Sequence, residues 1–315
     1  MSNSDLEKSV LQTLAFFAIF GYPLTAMEVW RYLYSSQWPV ASGQQSAVSL
    51  GEVMAVLDNS SRIKTQQGFY FLDSAEAVTE RQERYKIAEV KFKLVKKVAK
   101  LLACLPFVRL IAVCNTLAYS NASLASDIDL FIVAAKGKVW TTRFFTLLIL
   151  KILGRRPAPG KSQNAFCLSF WVDENYLNLE SLALAPEDIY LTYWLEQLYP
   201  VYDRGGYYQK LRQNNLWLKK YLGNSLGVEP NLERVVRLGW FGRFFKQLSE
   251  WKFSFNFWET GLKNWQLKHL PQNLKNLMVQ NEGVVIRQGV IKLIANDRRR
   301  GYYQNWQERV RGIEG

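Results

Sequence analysis

Histidine is nearly absent: His269 is the only one in 315 residues. One imidazole cannot build a histidine-based zinc site, and this one sits in a Lys/Leu-rich stretch, so a histidine general base is not expected. Cysteine is scarce too. Cys104, Cys114 and Cys167 form an odd set without framework spacing, each in apolar surroundings. Reduced, buried thiols are expected rather than a disulfide scaffold. Acidic residues are outnumbered, 27 against 40 Lys and Arg, for a formal charge of +13. That excess favours phosphate-bearing partners (nucleotide, nucleic acid or an anionic membrane surface) without choosing among them.

Long apolar runs are also missing. The most apolar stretch, 144–153, is interrupted by Lys151 and is too short to span a bilayer, so no integral membrane association is expected. The first residues lack the basic-then-apolar pattern of a secretory leader, and a cytoplasmic location follows as an expectation. No fixed-period repeat or low-complexity tract stands out. What is present is a 49% hydrophobic content, which excludes wholesale disorder, in a chain long enough for two or three domains.

Apolar spacing at Leu6, Val10, Leu14 and Phe17 predicts a first helix to about Phe20, stopped by Gly21-Tyr22-Pro23. Thr25 with Glu28, and Ser49 with Glu52, are capping boxes that open a second and a third helix. A loop of Ser, Gln and Gly separates these two helices. Ile63-Lys-Thr65, a Gln-Gln-Gly turn and Phe69–Leu72 then read as a short hairpin. Three helices and a hairpin make a winged helix. Its third helix carries Glu52 and Asp58 and no Lys or Arg, which would repel a phosphate backbone. A protein-contact or scaffold role suits it better than DNA reading.

A long charged helix is expected from Ala75 to Leu105, with Ile87, Val90, Leu94, Val98 and Leu101 as its buried stripe. Its lysines read as a solvated face. A nucleic-acid track, or peripheral membrane attachment, is a less favoured reading. Pro106 ends it.

The informative stretch is Val108–Val133. It reads as an apolar strand, a small-residue loop, and a second strand that begins Ser126-Asp127-Ile128-Asp129. Side chains alternate along a strand, so Asp127 and Asp129 face one way and Ile128, Leu130 and Ile132 the other. Adjacent carboxylates repel, and a hard divalent cation with oxygen ligands relieves them. After a Lys136-Gly-Lys138 turn, a helix is expected over 139–153, with Trp140 and Arg143 on one face. Arg143 is a candidate phosphate ligand, or the partner of a local acid. A basic loop, 154–160, leads to a strand at 165–172 with Cys167, Ser169 and Trp171 on one face, and Asp173 at its end in the same parity. A helix is expected from Pro186 to Leu198. The remainder reads as mostly helical and rich in aromatics, which at helical spacing are more often core than a base-stacking surface. The stretch from Val284 reads as an apolar helix ending in Asp297-Arg298-Arg299-Arg300, either a local ion-pair network or a cationic wall.

The strand, loop and Asp127-Ile-Asp129 unit resembles the nucleotidyltransferase superfamily, the fold of DNA polymerase beta and of the tRNA CCA-adding enzymes. Tyr22-Pro-Leu-Thr25 and Asp297-Arg-Arg299 resemble a group of uncharacterised bacterial and archaeal nucleotidyltransferase-domain proteins. The resemblance implies a magnesium-dependent enzyme that binds a nucleoside triphosphate and transfers a nucleotidyl group. It places Mg2+ on Asp127 and Asp129. It places phosphate near Ser126 and at Asn115-Thr116, where the family carries Gly-Ser. It seeks a third, base carboxylate on the later strand, for which Asp173 is the candidate. Asn115 in place of glycine and the lack of a mid-strand acid define the alternative, a catalytically degenerate fold acting as a nucleic-acid- or protein-binding module.

The expected architecture is therefore α/β: a nucleotidyltransferase-like mixed-sheet core over 106–200, an N-terminal winged-helix domain over 1–74, a connecting helix over 75–105, and a helical C-terminal region over 201–315.

Overall fold

The computed structural model describes residues 2–35, 48–158, 160, 162–278 and 282–314. The loop expected between the second and third helices lies mostly outside these residues. The N-terminal unit comprises α1 (Asn3–Ala18), β1 (Leu24–Thr25), α2 (Ala26–Arg31), α3 (Leu50–Asn59), β2 (Lys64–Gln66) and β3 (Phe69–Phe71). The three strands form an antiparallel sheet of order β1-β3-β2. Both expected capping boxes form. The Glu28 and Glu52 amides donate to Thr25 Oγ1 and Ser49 Oγ at 3.3 and 3.2 Å, and the glutamates accept in return. The outer face of α3 shows Glu52 and Asp58 to solvent.

The connecting helix is α4 (Glu76–Ala103). Its buried stripe is rotated by about one residue from the sequence reading. Ala88, Phe92, Val95, Ala99 and Leu102 pack inward; of the expected stripe Val98 is buried and Leu94 packs against the core, while Val90 and Leu101 are exposed. Lys91 shares that inner face. Its stem is buried, and its ammonium donates to the Ser126 carbonyl at 2.6 Å and to Asn164 Oδ1 at 3.1 Å. Those bonds satisfy the ammonium of a lysine that lies in the helix's inner face. Lys93, Lys96, Lys97 and Lys100 face solvent.

The remaining elements are β4 (Val108–Val113), α5 (Asn115–Ala118), β5 (Ile128–Ala134), α6 (Val139–Ile152), β6 (Phe166–Asp173), α7 (Ile189–Gln197), β7 (Tyr199–Asp203), α8 (Tyr207–Asn214), α9 (Trp240–Lys252), α10 (Asn256–Lys268), α11 (Gln272–Leu277), β8 (Val284–Arg287), β9 (Val290–Leu293) and α12 (Arg299–Glu314). The chain is thus mixed α/β, with a six-stranded sheet of order β7-β4-β5-β6-β9-β8. Only β5 and β6 run parallel, with α6 between them in sequence.

Two readings are corrected here. The stretch from Val284 is not a helix. It is a hairpin turning at Gln288-Gly289 that adds two strands to the sheet beside β6. Its run of Val and Ile suits strand as well as helix, and pairing to an open sheet edge decides the matter. Likewise Tyr199-Pro200 does not merely end a helix: Tyr199–Asp203 is an edge strand against β4. Pro200 is tolerated there because an edge strand leaves one row of amides unneeded. The region after residue 200 therefore supplies part of the sheet. Its last helix also packs back on α1, where Trp306 Nε1 donates to the Gln12 carbonyl at 3.0 Å.

Two apolar layers cover the sheet. On one face lie Ile111, Val113, Ile128, Leu130, Ile132 and Trp171, beneath α4 and α6. On the other lie Leu110, Ala112, Phe131, Val133, Phe170 and Val172, against α7. No described helix is long and apolar enough to cross a membrane.

Candidate metal centre and its cavity

Asp127 and Asp129 stand at the start of β5, the central strand beside β4 and β6. Register places Asp129 directly opposite Cys167. One ligand atom each from Asp127, Asp129 and Cys167 lies within 4.8 Å of the others. The three sit in the floor of a cavity of about 610 Å3, of the size that takes a small organic ligand. Tyr190, Trp194 and Tyr302 form an aromatic wall, and Lys292, Asp297 and Arg298 a charged one. A smaller cavity of about 240 Å3 adjoins it, sharing Asn115, Asp129, Tyr190 and Trp194 and reaching Thr116.

The electrostatics of the pair are unfavourable as they stand. Burial, then the neighbouring Asp127 charge, pushes Asp129 up to about 6, against hydrogen bonds from Asn115 and Cys167. Burial also raises Asp127, against its own backbone hydrogen bond and the Lys91 ammonium. Among the described residues no cation forms an ion pair with either carboxylate. The Cys167 thiol is itself held well above its ordinary range by burial and by the carboxylates, so it donates a hydrogen bond to Asp129 as a neutral group. Two carboxylates and a protonated thiol fit a hard, oxygen-seeking dication better than a thiolate-seeking one.

Asn115 adopts φ +57°, the left-handed conformation that asparagine tolerates better than most residues. Its side-chain oxygen accepts from Trp194 Nε1 at 3.0 Å and Tyr190 OH at 3.2 Å, which frees its amide for Asp129. Thr116 follows at the edge of the smaller cavity. Ser126 has a local task. Its hydroxyl donates to the Ser123 carbonyl at 2.9 Å, and its own carbonyl receives Lys91, which pins the turn before Asp127.

Two candidates lie elsewhere. Arg143 is behind the sheet. Its guanidinium sits 5.2 Å from the Trp171 ring and donates to Gln266 Oε1 at 2.5 Å, between α6 and α10, with burial lowering it to about 10. Trp171 is on that face because of a register shift at Leu130/Phe131. Ser169 is the extra residue, so both Ser169 and Phe170 line the cavity and the parity expected for Trp171 is reversed. Asp173 pairs with Ala134 at the far end of β5. Its carboxylate accepts from the Gly137 and Asn175 amides at 3.1 and 2.8 Å, bracing the turn into α6 rather than facing the Asp pair.

The opposite wall was legible only in part. Asp297 accepts from Lys292 and Arg299, and Arg299 reaches on to Asp188 at 2.6 Å. The cluster is thus both an ion-pair network and a wall of the cavity. Arg298 is exposed, lines the cavity and forms no ion pair with a described residue. Tyr190, Trp194 and Tyr302 carried no signal in sequence beyond aromatic character. They meet the Asp pair only because α7 and α12 pack together against the sheet's open face. No family model matches this chain, and no similar curated protein or solved structure was found.

Proposed function

We propose that the protein binds a nucleoside triphosphate with magnesium and transfers a nucleotidyl group to an acceptor hydroxyl, on a nucleotidyltransferase-like core. The observation that carries this reading is the pair of adjacent carboxylates, without an ion-pair partner among the described residues, in the floor of a cavity with aromatic and cationic walls. Asp127 and Asp129 would hold Mg2+, which supplies Lewis-acid polarisation of a phosphoryl oxygen when bound. Arg298, which lines the cavity, would neutralise phosphate charge in the place expected for Arg143. Trp194 and Tyr302 offer apolar ring surface to a base. Asn115 keeps the backbone turn that the family's glycine would make, and orients Asp129.

A specific observation favours a second reading. Among the described residues, the cluster that could hold a metal ion contains no third carboxylate, and Asp173 is at the wrong end of its strand. A degenerate fold that binds nucleic acid or a protein partner without chemistry accounts for that. In the N-terminal unit, read as a winged helix, the acidic outer face of α3 argues for protein contact over DNA.

Calorimetric titration of each ribonucleoside triphosphate, with and without magnesium, tests the first reading beside Asp129→Ala. Binding that requires magnesium and is lost in the variant is the expected result. Absence of binding by every triphosphate overturns it and leaves the second reading.

A further inference from the structure

Helix α9 is amphipathic in the reverse sense. Its sequence, Trp240-Phe-Gly-Arg-Phe-Phe-Lys-Gln-Leu-Ser-Glu-Trp-Lys252, puts Trp240, Phe241, Phe244, Phe245, Leu248 and Trp251 on one side at helical spacing. That side faces out: Phe241 is 69% exposed and Trp251 73%. The side against the protein is polar. Lys246, 1% exposed, donates to the carbonyls of Ala103, Leu105 and Val108 at 2.7–2.9 Å. Glu250 accepts from the Phe107 amide, Arg109 and Arg204. Gly242 allows the close seat, since a side chain there would meet Cys104 Sγ at 3.2 Å. The helix is therefore locked in place by hydrogen bonds and cannot roll its aromatic side inward.

The exposed apolar surface continues. Phe255 and Phe257 stack on one another, both exposed, at the start of α10. Exposed Trp265 meets Phe144 edge-on at 5.8 Å. From Phe144 the same face of α6 runs through Leu148 to Ile152, which is 70% exposed. Exposed aromatic and aliphatic side chains this numerous on α9, its turn into α10 and α6 mark an interaction surface.

Its charge selects the occupant. Between residues 237 and 275 the acids are Glu250 and Glu259 alone, against seven Lys and Arg. Both acids are engaged inward, Glu259 accepting from the Trp140 and Thr141 amides at the start of α6. Arg237, Arg243, Lys252, Lys263 and Lys268 are exposed around the aromatic side chains. Apposing two copies of such a face would bring like charges together in a chain of net charge +13. Trp and Phe flanked by unpaired cations is the pattern of a helix lying in a membrane interface, with rings at the acyl boundary and cations at the headgroups.

We propose that α9, its turn into α10, and the adjoining face of α6 form a docking surface for an anionic lipid bilayer. The protein binds such a membrane peripherally, in the plane of the surface.

The test is co-sedimentation of the full chain with phosphatidylcholine vesicles and with vesicles containing phosphatidylglycerol. Two variants accompany it, Phe244→Ser/Trp251→Ser/Phe255→Ser and Arg243→Glu/Lys252→Glu. All five side chains are exposed, so both variants should keep the wild-type melting curve. Wild type is expected on the anionic vesicles, released by salt, with each variant bound about tenfold less. Failure of wild type to sediment with anionic vesicles overturns the proposal, as does full binding by the aromatic variant. Sedimentation velocity gives the rival outcome: a wild-type dimer that the aromatic variant dissolves, without vesicle binding, makes a second copy the occupant and overturns the membrane reading.

Discussion

Two sets of buried carboxylates in this molecule have opposite surroundings. Glu250, on α9, faces Arg109, Arg204 and Lys246 and accepts a backbone amide, and these partners hold it below its ordinary range despite burial. Asp297, across the cavity, is held at about 2 by Arg299 and Lys292 against its own burial. Asp129, on β5, is pushed up to about 6, first by burial and then because a neighbouring charge is another carboxylate. The first two are solved within the chain and read as structural. The third has no cation paired to it among the described residues, which is the basis of the proposed metal site. Deeper burial and the sign of the neighbouring charge together separate Asp129 from the other two.

That contrast can be broken by experiment. The largest effect expected is at the Asp pair. Asp127→Asn or Asp129→Asn should weaken magnesium-dependent triphosphate binding by about 100-fold or more in calorimetry, because half of the anionic ligand set is gone. Retained binding would mean that the pair is not the metal site. Next is Glu250→Gln, which leaves Lys246 without its carboxylate and Arg109 with only the longer contact to Glu174, at 3.9 Å. It should cost about 2–3 kcal/mol in urea unfolding without changing triphosphate binding. The contrast fails if Asp129→Asn, in the absence of metal, destabilises the protein as Glu250→Gln does.

The pH dependence sharpens it. With Asp129 at about 6 in the folded state, above its ordinary 3.8, the native protein holds a proton there that the unfolded chain has released. Stability from this group is therefore present at low pH and is lost as pH rises from about 4 to about 6, with no further change above. Subtracting the melting temperatures of Asp129→Asn from those of wild type across that range isolates the slope, and saturating magnesium should abolish it. A difference independent of pH would remove the case for an uncompensated charge. The smallest effect belongs to Asp173→Asn, which keeps one good acceptor for the Gly137 and Asn175 amides. About 1 kcal/mol or less of stability should be lost, with magnesium and triphosphate affinity unchanged. A large loss of triphosphate affinity would return Asp173 to the site.

Much of the local structure was legible in the chain. The capping boxes at Thr25 and Ser49 depend on residues three apart, and they form as read. The Asp127/Asp129 face follows from the two-residue period of a strand. The failures share a cause. The stripe of α4 was misplaced by about one residue because a second apolar series, Ala88, Phe92, Val95, Ala99 and Leu102, has the same helical spacing and packing selects it. The parity of β6 was inverted by the extra residue at Ser169. The hairpin at Val284–Leu293 read as a helix because its apolar run fits both periods until a sheet edge is offered.

By itself the sequence determined the units whose stabilising partners lie within a few residues: caps, turns, the alternation that pairs two aspartates on one face, and the cationic excess. Only the tertiary structure decided where burial falls. It put Arg143 behind the sheet, Asp173 at its far end and the Asp297–Arg299 cluster opposite the Asp pair. It also turned the aromatic side of α9 outward, because three backbone carbonyls from residues 103–108 claim Lys246. Burial is a property of partners brought from distant parts of the chain, and no periodicity in one segment contains that information.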